Sequence, residues 1–423
     1  MTKGMTIESI SREEAATRFC ATWAGEGQAF FVASVRSPAD TAQTAEDAYI
    51  RIAEALREHQ LEIVHERIFG SLSMECSVMA ARQRAFRTCG IAPDNPLTYI
   101  QGNPPWGEGF AGLIIHAVHR GNGVWSIWDG DIPCGRRWRH KGSTYIMLQN
   151  INGQHDFSRE SESRPIQAWR MLDRADRILR ENGASYGDVV RTWFYLSDIL
   201  DWYAAFNKVR NEKYGEFGIM PGPDDTRLLL PASTGISGDT PSRAGTTMDL
   251  IAIMGESSSR LAVKQLTNIA QLDAFRYESA FSRGAVIHES DVSLIQVSGT
   301  AAIDQQGKTQ FVDDIHGQIT CTFEKLEKLM DREGASLKDI AAATVFVKRP
   351  EHASVFWEMV RKRGLEEFPG VCIVADVCRE ELLFEIDGEA VVGRKGFEGK
   401  DKKQGERLSY RLDAGRAVGR GNL

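Results

Sequence analysis

The chain repeats itself at a fixed interval, and this restricts its fold more than any other feature of its 423 residues. Gln167-Ala168-Trp169-Arg170-Met171-Leu172, running on to Asn182-Gly183-Ala184-Ser185, is echoed by Gln318 through Glu333-Gly334-Ala335-Ser336. The offset is 151 residues at both ends (167 to 318 and 183 to 334). A β-rich run follows each Gly-Ala-Ser: Thr192-Trp193-Phe194-Tyr195-Leu196 in one copy and Thr344-Val345-Phe346-Val347 in the other. Each run leads into an amphipathic helix with Phe206 or Trp357 at the same register. A helix–strand–helix order recurring at one spacing means that one module was used twice.

A weaker third copy lies upstream. Phe30 to Val35 reads as a strand, and Gln43 to Arg57 as a helix with Ala45, Ala48, Tyr49, Ile52, Ala53 and Leu56 on one face. Glu62 to Phe69 reads as a second strand. Met74 to Cys89 reads as a second helix capped by Gly90, and Leu113 to Val118 as a closing strand. Modules are expected over 28–119, 124–254 and 270–393. Gly121-Asn122-Gly123 serves as the first linker and the Gly255 to Gln265 stretch begins the second. Residues 394–423, charged and glycine-bearing, are expected to form a mobile tail with too little apolar surface to offset ordering.

Composition narrows the class. Hydrophobic content of 42% and charged content of 26% are those of an ordinary globular protein. A net charge of −7 argues against bulk electrostatic binding of nucleic acid. No apolar stretch reaches the roughly 20 residues of a membrane-spanning helix, and no apolar signal region opens the chain. Seven cysteines without framework spacing suit reduced thiols, so a cytoplasmic protein is expected.

Val297-Ser298-Gly299-Thr300-Ala301-Ala302-Ile303-Asp304, Gly307, the Gln318 helix, Gly334-Ala335-Ser336, Val345-Phe346-Val347 and Leu382-Leu383-Phe384-Glu385-Ile386-Asp387 together resemble the Rid superfamily (the YjgF/YER057c/UK114 proteins). The resemblance is strongest over 286–393, moderate over 140–254 and an outline over 28–119. It implies an α+β fold of three tandem chorismate-mutase-like modules, mixed sheets backed by helices, arranged as a single-chain pseudotrimer with sites in the inter-module clefts. The usual Rid activity, hydrolysis of enamines and imines, depends on an arginine in a Pro-Ala-Arg-type segment that pairs bidentately with a substrate carboxylate. Here that segment reads Pro369-Gly370-Val371 in the third module and Pro231-Ala232-Ser233 in the second. The nearest text in the first is Tyr99-Ile100-Gln101, so the arginine is missing from all three.

Ala375-Asp376-Val377-Cys378-Arg379-Glu380-Glu381-Leu382-Leu383-Phe384-Glu385-Ile386 is similar to the closing segment of the chorismatases, Rid-like proteins that cleave the pyruvyl enol ether of chorismate. The resemblance implies that Glu385 is the acid protonating the enol ether. It also implies that Cys378 marks members releasing an aromatic hydroxybenzoate. An enol ether hydrolyses after protonation at its methylene carbon, so the acid must keep its proton near neutral pH, as burial beside Leu383, Phe384 and Ile386 favours. The chain departs from typical chorismatases in being longer, and in the Thr192 to Tyr203 run of its second module.

Each candidate also has a plainer reading. Glu385 can instead brace the barrel, and Cys378 can be a small core residue. Arg379 would lower the thiol pKa, but neighbours on a strand point to opposite faces. Arg283 and Arg227 are candidate carboxylate anchors or surface arginines. Tyr277 precedes the third module where a cleft wall is expected. Ser233 and Thr234, within Pro231 to Gly238, form either a backbone nest for a carboxylate or a bare loop. Trp202, Tyr203 and Phe206 read as packing. Gly102 to Gly112 lacks a P-loop ending, and His116 and His119 lack a third metal ligand. Arg136-Arg137-Trp138-Arg139-His140-Lys141 reads as a solvated hairpin loop, with RNA contact the alternative.

Three functions stand at this point. They are chorismatase-like hydrolysis of a carboxylated ring's enol ether, Rid-type enamine or imine hydrolysis, and a non-catalytic ligand-binding array. None requires a cofactor or metal. The partner expected is a small-molecule carboxylate, with no membrane, no nucleic acid, and self-association possible but not required.

Overall fold

The computed structural model describes residues 16–25, 27–92, 94–154, 162–220, 230–255, 262–266 and 280–394. The protein is α+β, with three tandem units each built as a mixed sheet backed by two helices. The first unit runs β1 (Thr17–Trp23), β2 (Gln28–Val35), α1 (Thr41–Glu58), β3 (Leu61–Gly70), α2 (Glu75–Thr88), β4 (Thr98–Gln101) and β5 (Phe110–His119). The second runs β6 (Trp125–Asp129), β7 (Ile132–His140), β8 (Ser143–Asn152), α3 (Arg164–Glu181), β9 (Val189–Leu196), α4 (Ile199–Glu216), β10 (Ala232–Ser237) and β11 (Thr246–Gly255). The third runs β12 (Ala262–Leu266), β13 (Gly284–His288), β14 (Val292–Ala301), α5 (Ile315–Asp331), β15 (Ile340–Val347), α6 (His352–Lys362), β16 (Gly370–Val374) and β17 (Phe384–Gly393).

Each sheet carries the same four-strand heart: β2-β5-β3-β4, β8-β11-β9-β10 and β14-β17-β15-β16. In each, the last named strand runs parallel to its neighbour while the others are antiparallel. A parallel pair needs a crossover, which α2, α4 and α6 supply.

The 151-residue repeat has a physical basis. Gln167 at the start of α3 accepts the N–H of Gly245, and Gln318 at the start of α5 accepts that of Leu383. Each bond fixes the entry to the unit's last strand, β11 or β17. Ser185 with Asp188, and Ser336 with Asp339, form matching capping boxes before β9 and β15. In the first unit, α1 starts at Asp40, whose carboxylate accepts the N–H of Gln43, and buries the expected stripe from Ala45 to Leu56. α2 ends at Thr88 with Gly90 in the left-handed region at φ 69°, where a side chain would be strained.

Each unit packs one sheet face on its own helices, and the opposite faces meet in a shared central core. Val32, Ile114, Tyr145, Trp193, Ile287 and Phe346, drawn from all three sheets, pack together there. Three backbone bonds close the units into a ring. Gln101 at the end of β4 donates to Asp239, Ser237 at the end of β10 donates to Asp376, and Val374 at the end of β16 donates to Asn103.

Several expectations change. The edge strand β1 was not foreseen, and Ala262 to Gln265, expected as linker, belongs to β12. The Arg136 to Lys141 cluster is not a solvated loop. It lies on β7 and its end, with Trp138 fully buried against Tyr145 and Arg136 bonded to Asp94. His140 sits 3.1 Å from Glu289, and Lys141 bonds Glu289 and Asp291. Strand alternation turns Arg136, Trp138 and His140 inward, a pattern that counting charges misses. Gly121 and Asn122 end a short 3-10 turn after β5, as a linker should. The charged tail beyond 394 lies outside the described residues. No described helix is long and apolar enough to cross a membrane.

Candidate active site

The second and third units meet at a cleft of about 500 Å³, solvent at its mouth included. From the third unit, β17 supplies Glu385, β14 supplies Gly299 and Ala301, and the segment entering β13 supplies Phe281 and Arg283. From the second, α4 supplies Tyr203 and Arg210, and β10 supplies Ser233 and Gly235.

Glu385 is 5% exposed, yet the cleft reaches it. Burial pushes its carboxyl up to about 8. The charge of Asp387 adds to this, and Arg283 and Arg191 oppose it. At neutral pH the group is therefore a carboxylic acid. Room for it depends on Gly299, where an added Cβ would lie 2.2 Å from Glu385 Oε1.

Two buried guanidiniums from different units stand at the same cleft. Arg210 lies over Phe281 at 5.4 Å and Arg283 over the same ring at 5.2 Å. Arg210 is 1% exposed and donates to Asn207 Oδ1 at 2.7 Å. Its Nε finds no acceptor and no carboxylate pairs with it among the described residues. A buried cation with only neutral partners is costly unless a ligand anion completes it, so Arg210 fits a carboxylate.

The segment 375–383, between β16 and β17, brings in Cys378 and Arg379. Because it is not a strand, the two neighbours do not point to opposite faces, and both line the cleft. Arg379 is braced on the Gly307 carbonyl at 2.5 Å. Burial pushes the Cys378 thiol up to about 12, Glu385 adds to the rise, and Arg379 and Arg283 oppose it. The sulfur is thus a neutral thiol rather than a thiolate nucleophile.

Behind the cleft, Pro231 to Gly238 is neither nest nor bare loop. Residues 232–237 form β10, an edge strand paired in parallel with β9. Ser233 N–H also donates to Ser298 Oγ. Thr234 turns to the other side and donates to Asp387 Oδ2 at 2.7 Å, where Arg191 Nη2 also donates at 3.1 Å.

Comparison with known proteins bears on what this cleft belongs to. The family profile described as Endoribonuclease L-PSP matches residues 272–392. A chorismatase of Streptomyces rapamycinicus is 27% identical over 228 residues, covering 48% of this chain and 64% of that protein. A chorismatase of Streptomyces hygroscopicus is 25% identical over 226 residues, covering 48% and 61%. The similarity thus spans a little under two thirds of each relative. The crystal structure of a chorismatase superposes with a TM-score of 0.56 at 19% identity, covering 78% of this chain and 92% of that one, which bears on the fold. The third unit thus carries the family profile, and the chain resembles the chorismatases.

In this chorismatase-like chain, Glu385, Cys378, Arg283 and Ser233 come together at one cleft, and Thr234 lies against its back wall. Arg227 and Tyr277 lie outside the described residues. No arginine occupies β4, β10 or β16, the three strands where the Pro-Ala-Arg-type segment would fall. Sequence reasoning missed Arg210 and read Tyr203 as packing. Tyr203 does stack on Phe206 but also lines the cleft. The signal for Arg210 was present: it falls four residues after Phe206, on a buried helix face where a charge is anomalous. His116 and His119 have structural roles. His116 stacks on Phe30 and bonds Gln28, and His119 caps the turn after β5.

Proposed function

We propose that the protein hydrolyses the enol ether of a carboxylated ring, with chorismate the leading substrate, releasing pyruvate and the ring alcohol. The observation that carries this reading is a buried carboxylic acid, Glu385 at about 8, facing a cleft with two buried guanidiniums. A general acid works best with its pKa near the operating pH.

In the proposed mechanism, Arg210 and Arg283 bind the substrate carboxylates and set the enol ether against Glu385. Glu385 gives its proton to the terminal methylene carbon, making a methyl group and an oxocarbenium ion at the adjacent carbon. Water adds there and returns one proton to the Glu385 carboxylate. The resulting hemiketal breaks its bond to the ring oxygen, the proton of the hemiketal hydroxyl passes to that oxygen as the ketone carbonyl forms, and pyruvate leaves. Buried negative charge on Glu385 beside the cation is offset by the same arginines. Cys378, as a neutral thiol, shapes the ring pocket and bears on whether the ring leaves as the dihydroxycyclohexadiene carboxylate or loses a further water to become a hydroxybenzoate.

The test is incubation with chorismate, following pyruvate and the ring product by chromatography, with Glu385→Gln alongside. Pyruvate from the wild type and none above background from the variant is the expected result. No pyruvate from the wild type overturns the reading.

A further inference from the structure

β17 presents Glu385, Asp387 and Glu389 at every second residue, so all three carboxyls share one face of the strand. They face cations from other units: Asp387 bonds Arg191 of β9 at 3.1 Å and Glu389 meets Arg67 of β3 at 3.5 Å. Glu385, at the cleft end of this row, has no ion-pair partner among the described residues. The central carboxylate is the most firmly held. Arg191 Nη2 and Thr234 Oγ1 both donate to Asp387 Oδ2, Arg191 also donates to Thr234, and Oδ1 is buried without a partner among the described residues. Thr234 Oγ1 in turn accepts the N–H of Gly299 at 3.1 Å, and Gly299 is the residue whose missing side chain makes room for Glu385.

Resting on the general-acid reading above, we propose that Asp387 is a positioning residue: clamped by Arg191 and Thr234, its fixed negative charge holds the proton on Glu385 until substrate takes it. Two like charges two residues apart on one buried strand face cannot both be cheap, and Asp387 is the one held by a guanidinium and a hydroxyl. The other titratable and charged groups around Glu385 are Arg191 on β9, Arg283 before β13, Tyr203 and Arg210 on α4, and Cys378 and Arg379 in the preceding segment. Arg283 and Arg191 favour its ionised form, and burial together with Asp387 outweighs them. The clamp also holds Gly299 against the acid, so Asp387 acts on both the charge and the place of Glu385.

A merely structural brace would affect stability but not the proton on Glu385, which decides the test. The Glu385 carboxyl is titrated in the ligand-free protein by carbon-13 NMR of labelled glutamate, with Glu385→Gln identifying its resonance. In Asp387→Asn the midpoint is expected to fall by about one pH unit. The alkaline limb of pyruvate release should move down by the same amount. Should Asp387→Asn fail to fold, Asp387→Asn with Arg191→Gln removes both charges of the buried pair together, and its midpoint is expected between wild type and the single variant. A midpoint that stays at the wild-type value, or rises, in a folded variant overturns the proposal. If wild type releases no pyruvate, the chorismatase reading fails while the NMR titration still decides the role of Asp387.

Discussion

The join between the second and third units and the join between the third and first use the same strands in the same register, yet one is an open polar cleft and the other is sealed. At the position of Glu385 in β17, β5 carries Gly112. A Cβ at Gly112 would meet the Ala33 carbonyl at 2.4 Å and Val371 at 3.0 Å, so the space is filled from the partner strand. Where the open join has Arg191, Thr234 and Asp387, the sealed one has Ala342, Val371 and Ile114, all in the central core. Arg36 lies 3.3 Å over the Trp357 ring there and donates to the Phe368 carbonyl. The join between the first and second units is intermediate. It keeps a polar cluster of His65, Thr98 and Asp249, but has Thr247 where the acid would stand. The fold therefore provides three similar joins, and a few side chains decide which one presents a buried carboxyl to a cleft.

This contrast can be broken at its strongest point first. Glu385→Gln is expected to lower pyruvate release by at least about 100-fold, the usual contribution of a general acid. Gly299→Ala should cost about 30- to 100-fold in kcat with the fold intact, because its methyl group occupies the space of the acid. Arg210→Gln should raise KM for chorismate by about 10- to 100-fold, the value of a charge-assisted contact to a carboxylate. A steady-state comparison in which only kcat moves would instead place Arg210 outside substrate binding.

The pH dependence sharpens the same comparison. With Glu385 at about 8, kcat/KM should hold up to that point and fall about tenfold per pH unit above it. The linked stability has the same sign. The folded protein holds this proton more tightly than the unfolded chain, so stability is full below the ordinary carboxyl range and is lost as pH rises through about 8. Glu385→Gln removes that loss, so its thermal midpoint should exceed the wild type's at pH 9 and match it near pH 4. The smallest effect is expected at the sealed join. Gly112→Ala should destabilise by about 1–3 kcal/mol, through φ 150° and the Ala33 contact, and leave pyruvate release unchanged.

Much of the fold was legible because its signals are local. Gln167 and Gln318, with the capping boxes at Ser185 and Ser336, are short-range devices that must be kept wherever the unit is kept. The first unit remained readable through periodicity, as in the α1 stripe from Ala45 to Leu56. The edge strands β1 and β12 were not, since short edge strands carry little alternation and depend on their neighbour for pairing. The inward turn of Trp138 and His140 escaped for a related reason: alternating burial hides inside a run of like charges.

The site divides along similar lines. Glu385 and Cys378 stand in a stretch that resembles known proteins, whereas Ser233, expected in a nest or loop, lies within β10, and Arg283 directly precedes β13. Arg210 becomes part of the cleft only because α4 of one unit faces β14 and β17 of the next, a contact that no spacing along the chain encodes.

By itself the amino-acid sequence determined three copies of one α+β unit, since helix periodicity, caps and strand runs follow from interactions among near neighbours. Which join holds the cleft, why Glu385 keeps a proton, and how Asp387 and Arg191 come to face it were decided only by the tertiary structure. Burial and charge proximity depend on what the other two units place against a strand, and that is a property of the closed ring rather than of any segment in it.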